Sequence, residues 1–193
     1  MWIFNWRKTM NKIINSDLLY AGKFLELYKD TIEKDNKTTF MWERCSRKNK
    51  TKAVIIVPYH ISENKFVLIK EYRAPINDYE IGFPAGLLDK NNELIGNMIV
   101  RELYEETGLG LNNILRISPF GYNSAGMSDE SISIAYINVY GNISNKHQES
   151  TEDIHTFFAS KDEIKHMLYD KNIKWGLKAW IICDMLVNGN PFE

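Results

Sequence analysis

Apolar positions recur with two different periods along the chain, and each change of period marks an element. Ala53–Tyr59 (AVIIVPY) is a continuous apolar run, the pattern of a strand covered on both faces. Lys65–Tyr72 (KFVLIKEY) follows after the turn residues Ser62-Glu63-Asn64 and reads as its neighbour. Ser131–Tyr140 (SISIAYINVY) is rich in Ile, Val and Tyr and predicts a further strand, as does Ile154–Ala159, while Ile114–Gly121 leads into a loop. Upstream, Phe24–Glu33 and Thr38–Arg44 predict a hairpin closed by the polar turn Lys34-Asp35-Asn36-Lys37. Helical spacing appears over Asn97–Thr107, where Met98, Val100 or Arg101, Leu103 and Leu109 form the apolar stripe and Gly108 supplies the stop. Ser160 and Glu163 form a capping box that opens a helix through about Tyr169. Trp175–Val187 predicts a last amphipathic helix facing inward through Trp175, Ala179, Ile182 and Leu186. A sheet covered by helices on both sides follows from the doubly apolar strand.

Composition narrows the function classes. With 193 residues the chain is long enough for one well-packed domain and a small appendage. The 24 Lys and Arg against 25 Asp and Glu give a net charge of −1, so nothing points to nucleic acid or an anionic membrane as partner. Cys45 and Cys183 are far apart and lack metal-ligand spacing, which fits ordinary thiols in a reducing cytoplasm. His60, His147, His155 and His166 have no ligand spacing either and read as surface or satisfied side chains. The segment Met1–Met10 is too short for a membrane span and is followed by no signal-peptide core. Its alternating Trp2, Phe4 and Trp6 fit an edge strand, a hydrophobic arm or a disordered segment equally.

Candidate chemistry lies on the polar face of the Asn97–Thr107 helix. Glu102, Glu105 and Glu106 stand at i, i+3 and i+4, so their carboxylates project together. Like charges at that spacing cost only about 0.2–0.5 kcal/mol per pair, so a plain solvated face remains one reading. The other is a site for a hard divalent cation: Glu105 and Glu106 occupy the last turn, where the helix dipole disfavours anions and a bound cation would offset both penalties.

The string Glu93, seven residues, then Arg101-Glu102-Leu103-Tyr104-Glu105-Glu106-Thr107-Gly108-Leu109 closely resembles the signature box of the Nudix hydrolases. Six residues separate Gly86 from Glu93 where the family pattern has five, an insertion in a loop. The resemblance implies an α/β fold, a Nudix-type α/β/α sandwich with a mixed β-sheet and a small N-terminal β element. It implies residues 1–50 as arm and hairpin, with a role in dimerisation, and 51–193 as the hydrolase domain. It further implies a Mg²⁺ or Mn²⁺ cofactor held by Glu102, Glu106 and the Ala85 carbonyl, with Glu105 in support and Arg101 orienting the box carboxylates.

More local similarities point to the ADP-ribose and nucleoside-diphosphate-sugar branch. Glu71-Tyr72-Arg73-Ala74-Pro75 is similar to an element in which the arginine clamps a phosphate, against a plain surface ion pair as the alternative for Arg73. Phe83-Pro84-Ala85-Gly86 is similar to the branch's Pro-Ala-Gly lead into the box, although Gly82 stands where a glutamate is usual and the nearest one is Glu80. Asn123–Glu130 resembles a loop that carries Ser-Pro-Gly and then a glutamate; Ala125 replaces the proline, and Glu130 is the matching acid. Glu152-Asp153 matches part of a Glu-x-Glu-Asp pattern bearing a catalytic or metal-binding glutamate, with Ser150 at the first position and Glu149 beside it. Glu152 or Glu149 as general base stands against a solvated acidic loop. In the hairpin, Trp42 and Arg44 are candidates to stack on a base or meet a phosphate, against Trp42 as core and Arg44 as surface. The function implied is metal-dependent cleavage of a small nucleotide, ADP-ribose to AMP and ribose 5-phosphate, by a cytoplasmic homodimer. Another sugar nucleotide of the UDP-glucose or GDP-mannose type, or a metabolite sensor without turnover, are the alternatives.

Overall fold

A computed structural model of the protein describes residues 11–88, 93–148 and 153–189. The Met1–Met10 arm therefore lies outside the described residues. The chain divides into two compact units, one formed by residues up to Lys52 with Gly121–Ser131, the other by Ala53–Phe120 and the residues from Ile132 on.

The first unit is a three-stranded antiparallel sheet in the order β1 (Lys12–Ala21), β2 (Leu25–Glu33), β3 (Thr39–Arg47). Lys37 closes the β2–β3 turn in the left-handed region at φ 67°, and Asn36 Oδ1 accepts the Thr38 N–H at 3.1 Å. The sequence pattern predicts only a two-stranded hairpin here. β1 escapes it because the β1–β2 register shifts between Ile13 and Asn15 and again between Leu18 and Tyr20, which breaks the alternation a strand otherwise displays. Gly121–Tyr122 (β9) opens the loop that completes the unit, and Cys45 N donates to Met127 O at 2.9 Å.

Among the described residues of this unit only Asp30 and Ser46 are buried, while Ile13, Ile14, Leu18, Leu19, Met41 and Trp42 are exposed. Asp30, 2% exposed, accepts from the Ser16 hydroxyl at 2.5 Å and from Arg44 Nε at 2.7 Å. Burial pushes its carboxyl upward, and the Ser16 and Arg44 contacts outweigh burial and hold it below the usual carboxylate range. A folded value below the unfolded one contributes stability above about pH 3.9, and that stability is lost as pH falls through the folded value. Asp30→Asn is expected to cost about 1.5–3 kcal/mol in urea unfolding at pH 7, a loss that shrinks as pH falls through the folded value.

The second unit is built on one mixed sheet. Its strands are β4 (Ala53–His60), β5 (Lys65–Arg73), β6 (Asp78–Gly82), β7 (Ala85–Leu87), β8 (Gly110–Ile117), β10 (Ser131–Tyr140) and β11 (Ile154–Ala159). The order is β11-β5-β4-β10-β8, with β6 on β5 and β7 on β4; β4 and β10 run parallel, and the other pairings are antiparallel. Helix α1 (Ile95–Thr107) packs Met98, Ile99 and Leu103 with Val54, Ile56, Val67, Ala135 and Ile137. Helices α2 (Lys161–Tyr169) and α3 (Leu177–Asn188) pack Ile164, Leu168, Ala179 and Ile182 with Val57, Phe66 and Leu68. Val67 and Leu68 thus feed opposite cores, as neighbours along a strand must. This is an α/β/α sandwich, and the Ser160–Glu163 capping box is in place.

Three details differ from the pattern. The pattern does not mark β8 as a strand, because an edge strand with exposed Asn112 and Asn113 carries no apolar alternation. Val100 is exposed; the stripe of α1 runs through Met98, Ile99 and Leu103 instead. Trp175 precedes α3, since Ile81 N donates to Lys174 O at 2.7 Å and Gly176 N to Ile81 O at 2.9 Å, which ties this segment to β6. His60 is buried and satisfied: Glu63 N–H donates to Nδ1, leaving the proton on Nε2 to reach Gly141 O at 2.9 Å. Cys183 is buried, and burial pushes its thiol up to about 12. Among the described residues no helix is long and apolar enough to cross a membrane.

Candidate active site

Helix α1 starts at Ile95, where Leu94 O accepts from Asn97 N and Met98 N. It stops at Gly108, whose φ of 73° places it in the left-handed region as its N–H closes on Tyr104 O at 2.9 Å. With Met98, Ile99 and Leu103 turned into the core, the 3.6-residue period puts Glu102, Glu105 and Glu106 together at the end of the helix. Strand β7 runs alongside. Ala85 N–H points at Glu106 Oε2, 3.3 Å away. A Cβ built on Gly86 would overlap Cγ and the carboxylate of Glu102, so only glycine lets that side chain lie where it does.

Arg101 sits among the acids. Nη1 meets Glu102 Oε1 at 2.7 Å and Glu105 Oε2 at 3.1 Å, while Nη2 meets Glu93 Oε2 at 3.1 Å and Nε meets Glu93 Oε1 at 3.2 Å. The fork of the guanidinium suits this bidentate grip on Glu93. The hydrogen bonds to Glu93 lead the upward shift of its pKa, so Arg101 is a fixed charge at every accessible pH. Glu106 is 4% exposed, a carboxylate held in the interior at the negative end of a helix.

These groups fit a hard divalent ion by their chemistry: every donor on this face is an oxygen, Glu102 and Glu106 are largely withdrawn from water, and the missing Cβ of Gly86 leaves the cradle in which Glu102 lies. Among the described residues no three acidic, His or Cys side chains gather into a set able to hold an ion by themselves.

The remaining candidates are distributed as follows. Arg73, on β5, is ion-paired through Nη1 to Glu71 at 2.7 Å and through Nε to Glu80 at 2.9 Å, and is 44% exposed on its side chain. Glu80 is thus committed to Arg73. In the first unit, Trp42 is 46% exposed, which excludes it as core. Arg44 is not a plain surface residue: besides Asp30 it reaches Asp129 at 3.7 Å and lies 4.4 Å from the centroid of the Tyr28 ring. Trp42 and Arg44 line a cleft of about 430 Å³ with Ile13, Ile32, Phe40 and Asp129. Glu130 accepts from Arg47 Nε at 2.6 Å and Asn123 Nδ2 at 2.5 Å. Glu149 and Glu152 lie outside the described residues.

The sequence reading did not single out the groups that hold the end of α1. Thr156 Oγ1 donates to Glu106 O at 2.9 Å, and Gln148 Nε2 to the same carbonyl at 3.3 Å. They stand 50 and 42 residues along the chain, and no local pattern marks them.

The sequence pattern described as the NUDIX domain matches residues 49–180. The chain is 29% identical to the ADP-ribose pyrophosphatase of Bacillus subtilis (strain 168) over 64% of this chain and 63% of that protein. It is 32% identical to the ADP compounds hydrolase NudE of Escherichia coli (strain K12) over 53% of each. Both alignments thus span less than two thirds of the relative's own length. The crystal structure of an ADP compounds hydrolase superposes with a TM-score of 0.74 at 22% identity, covering 93% of this chain and 95% of that one, which shows a common fold. With its box on α1, its glycine-backed carboxylates and a domain match over most of its length, the chain belongs to the NUDIX domain family.

Proposed function

We propose that the protein is a divalent-metal-dependent hydrolase that cleaves the diphosphate of a nucleoside diphosphate linked to a sugar, ADP-ribose to AMP and ribose 5-phosphate. The observation that carries this reading is the set of carboxylates at the end of α1, braced by Arg101 and backed by Gly86. The names of the relatives from Bacillus subtilis and Escherichia coli support the choice of an ADP compound.

Glu102, Glu106 and the Ala85 carbonyl would hold Mg²⁺ or Mn²⁺, ions that take one or two carboxylates and keep several waters. Such an ion supplies charge neutralisation on the diphosphate and a lowered pKa for the attacking water. Arg101 keeps Glu102 and Glu105 oriented, so they need no reorganisation when substrate arrives. Glu105, the more exposed of the two, supports the set from its outer side. Arg73 exchanges Glu71 and Glu80 for a phosphate oxygen, trading one charge-assisted pair for another. Trp42, Arg44 and Glu130 are the proposed contacts to the nucleoside, and Glu152 or Glu149 the proposed base. The exposed apolar residues of β1 and β3 support a homodimer, because a three-stranded sheet with so little buried apolar surface needs cover. Sedimentation should then give twice the chain mass; a monomer at micromolar concentration would remove this part.

A second reading, another sugar nucleotide, rests on Gly82 and Ala125: no glutamate stands at position 82, and the nearest one, Glu80, is engaged by Arg73. Turnover of ADP-ribose against UDP-glucose and GDP-mannose with Mg²⁺ or Mn²⁺ decides between them. We expect ADP-ribose to be preferred by at least about tenfold in kcat/KM, or about 1.4 kcal/mol in the transition state. A preference for a uridine or guanosine substrate would replace the adenosine reading with the second one. Tight binding of a nucleotide with no product in the presence of metal would instead indicate a sensor.

A further inference from the structure

The last turn of a helix leaves carbonyls without partners inside the helix, and each needs a donor from elsewhere. In α1 several carbonyls near the end find such donors. Leu103 O accepts from the Thr107 hydroxyl, and Tyr104 O from Gly108 N at 2.9 Å. Thr107 O accepts from Ser144 N at 2.9 Å. Glu106 O alone in this turn takes two side-chain donors from outside the helix among the bonds described, Thr156 Oγ1 at 2.9 Å and Gln148 Nε2 at 3.3 Å. Gln148 Nε2 also reaches Ile154 O at 2.8 Å; with carbonyls as both partners, the amide nitrogen must be the atom that faces them.

We propose that Gln148 and Thr156 are positioning residues that set the Glu106 carboxylate through its own backbone carbonyl. The inference rests on the reading of Glu106 as a metal ligand. The geometry places two donors at the one residue of the turn whose carboxylate is buried against Ala85 N–H. Two consequences follow. The donors offset the partial negative charge of the helix end, which otherwise opposes a carboxylate there. They also anchor the peptide unit from which the Glu106 side chain springs to β11, directly through Thr156 and by way of Gln148, which also reaches Ile154 O at the start of that strand. Outer partners of this kind are what fix a ligand's orientation before an ion arrives.

The test uses Gln148→Met and Thr156→Val, which keep volume and remove the donors, singly and together, with Thr156→Ser as the variant that keeps the hydroxyl. Mn²⁺ is titrated calorimetrically into the metal-free full chain, and thermal unfolding and kcat and KM are recorded alongside. The expected result is a Mn²⁺ dissociation constant raised about tenfold in the double variant, a lower kcat with KM within about twofold, and recovery by Thr156→Ser of most of what Thr156→Val loses. A double variant with wild-type Mn²⁺ affinity and kcat would overturn the inference while leaving the metal reading standing. A wild-type chain that binds no Mn²⁺ would overturn both. If the double variant does not fold, Thr156→Val against Thr156→Ser gives the same decision.

Discussion

Glu106→Gln is expected to lower kcat/KM on a nucleoside diphosphate sugar by roughly a hundred- to a thousandfold, while the metal-free protein stays folded and melts at or above the wild-type temperature. The two halves of this result have one cause. A carboxylate withdrawn from water at the negative end of a helix costs stability, and under the proposed function it is kept for the ion it would bind. Glutamine has the same shape, and its carbonyl oxygen still accepts from Ala85 N–H, so packing is preserved while the charge is lost. Removing that charge would take away an anionic ligand of the proposed ion and relieve repulsion between Glu106 and Glu102. Steady-state kinetics with a melting curve in a chelator checks both. Loss of activity together with a fall in melting temperature of more than a few degrees would mean that Glu106 is structural. Retained activity would remove it from the site.

Gly86→Ala is the second large effect. The glycine is buried on β7, and its backbone angles lie outside the left-handed region, so the penalty is purely one of space. A methyl group there meets Glu102 at Cγ, too near the helix for a simple swing of the carboxylate; the whole side chain must leave its rotamer or β7 must move away from α1. The expected cost is about 1–3 kcal/mol of stability and a loss in kcat/KM of about a hundredfold, because the displaced carboxylate also abandons its 2.7 Å bond with Arg101. Urea unfolding and kinetics on the same preparation measure the two. Wild-type activity in this variant would show that Glu102 need not lie against β7.

How much of this was legible in the sequence depends on how local the cause is. Glu102, Glu105 and Glu106 fall within one helix and Gly108 caps it, so spacing alone decides which side chains share a face and where the helix ends. β4 and β5 were equally plain, since their apolar runs record burial on two faces, and β10 showed through its Ile, Val and Tyr content. The short strands β6 and β7 left no such trace: their existence is decided by pairing with β5 and β4, not by any pattern of their own. β1 was hidden by its two register shifts. The partner of Arg44 could not be read either, because Arg44 stands opposite Tyr28 in the ladder and reaches Asp30 diagonally. Gln148 and Thr156 belong to the same class of long-range facts, in which a helix end is satisfied by a segment far along the chain.

The most direct test of the central claim is ³¹P NMR of ADP-ribose incubated with the wild-type chain and Mg²⁺, beside the same mixture in excess chelator. The account predicts AMP and ribose 5-phosphate in equal amounts with the metal and unchanged ADP-ribose without it. Cleavage that persists in the chelator, or no cleavage of any nucleoside diphosphate sugar by folded protein with Mg²⁺ or Mn²⁺, would contradict it.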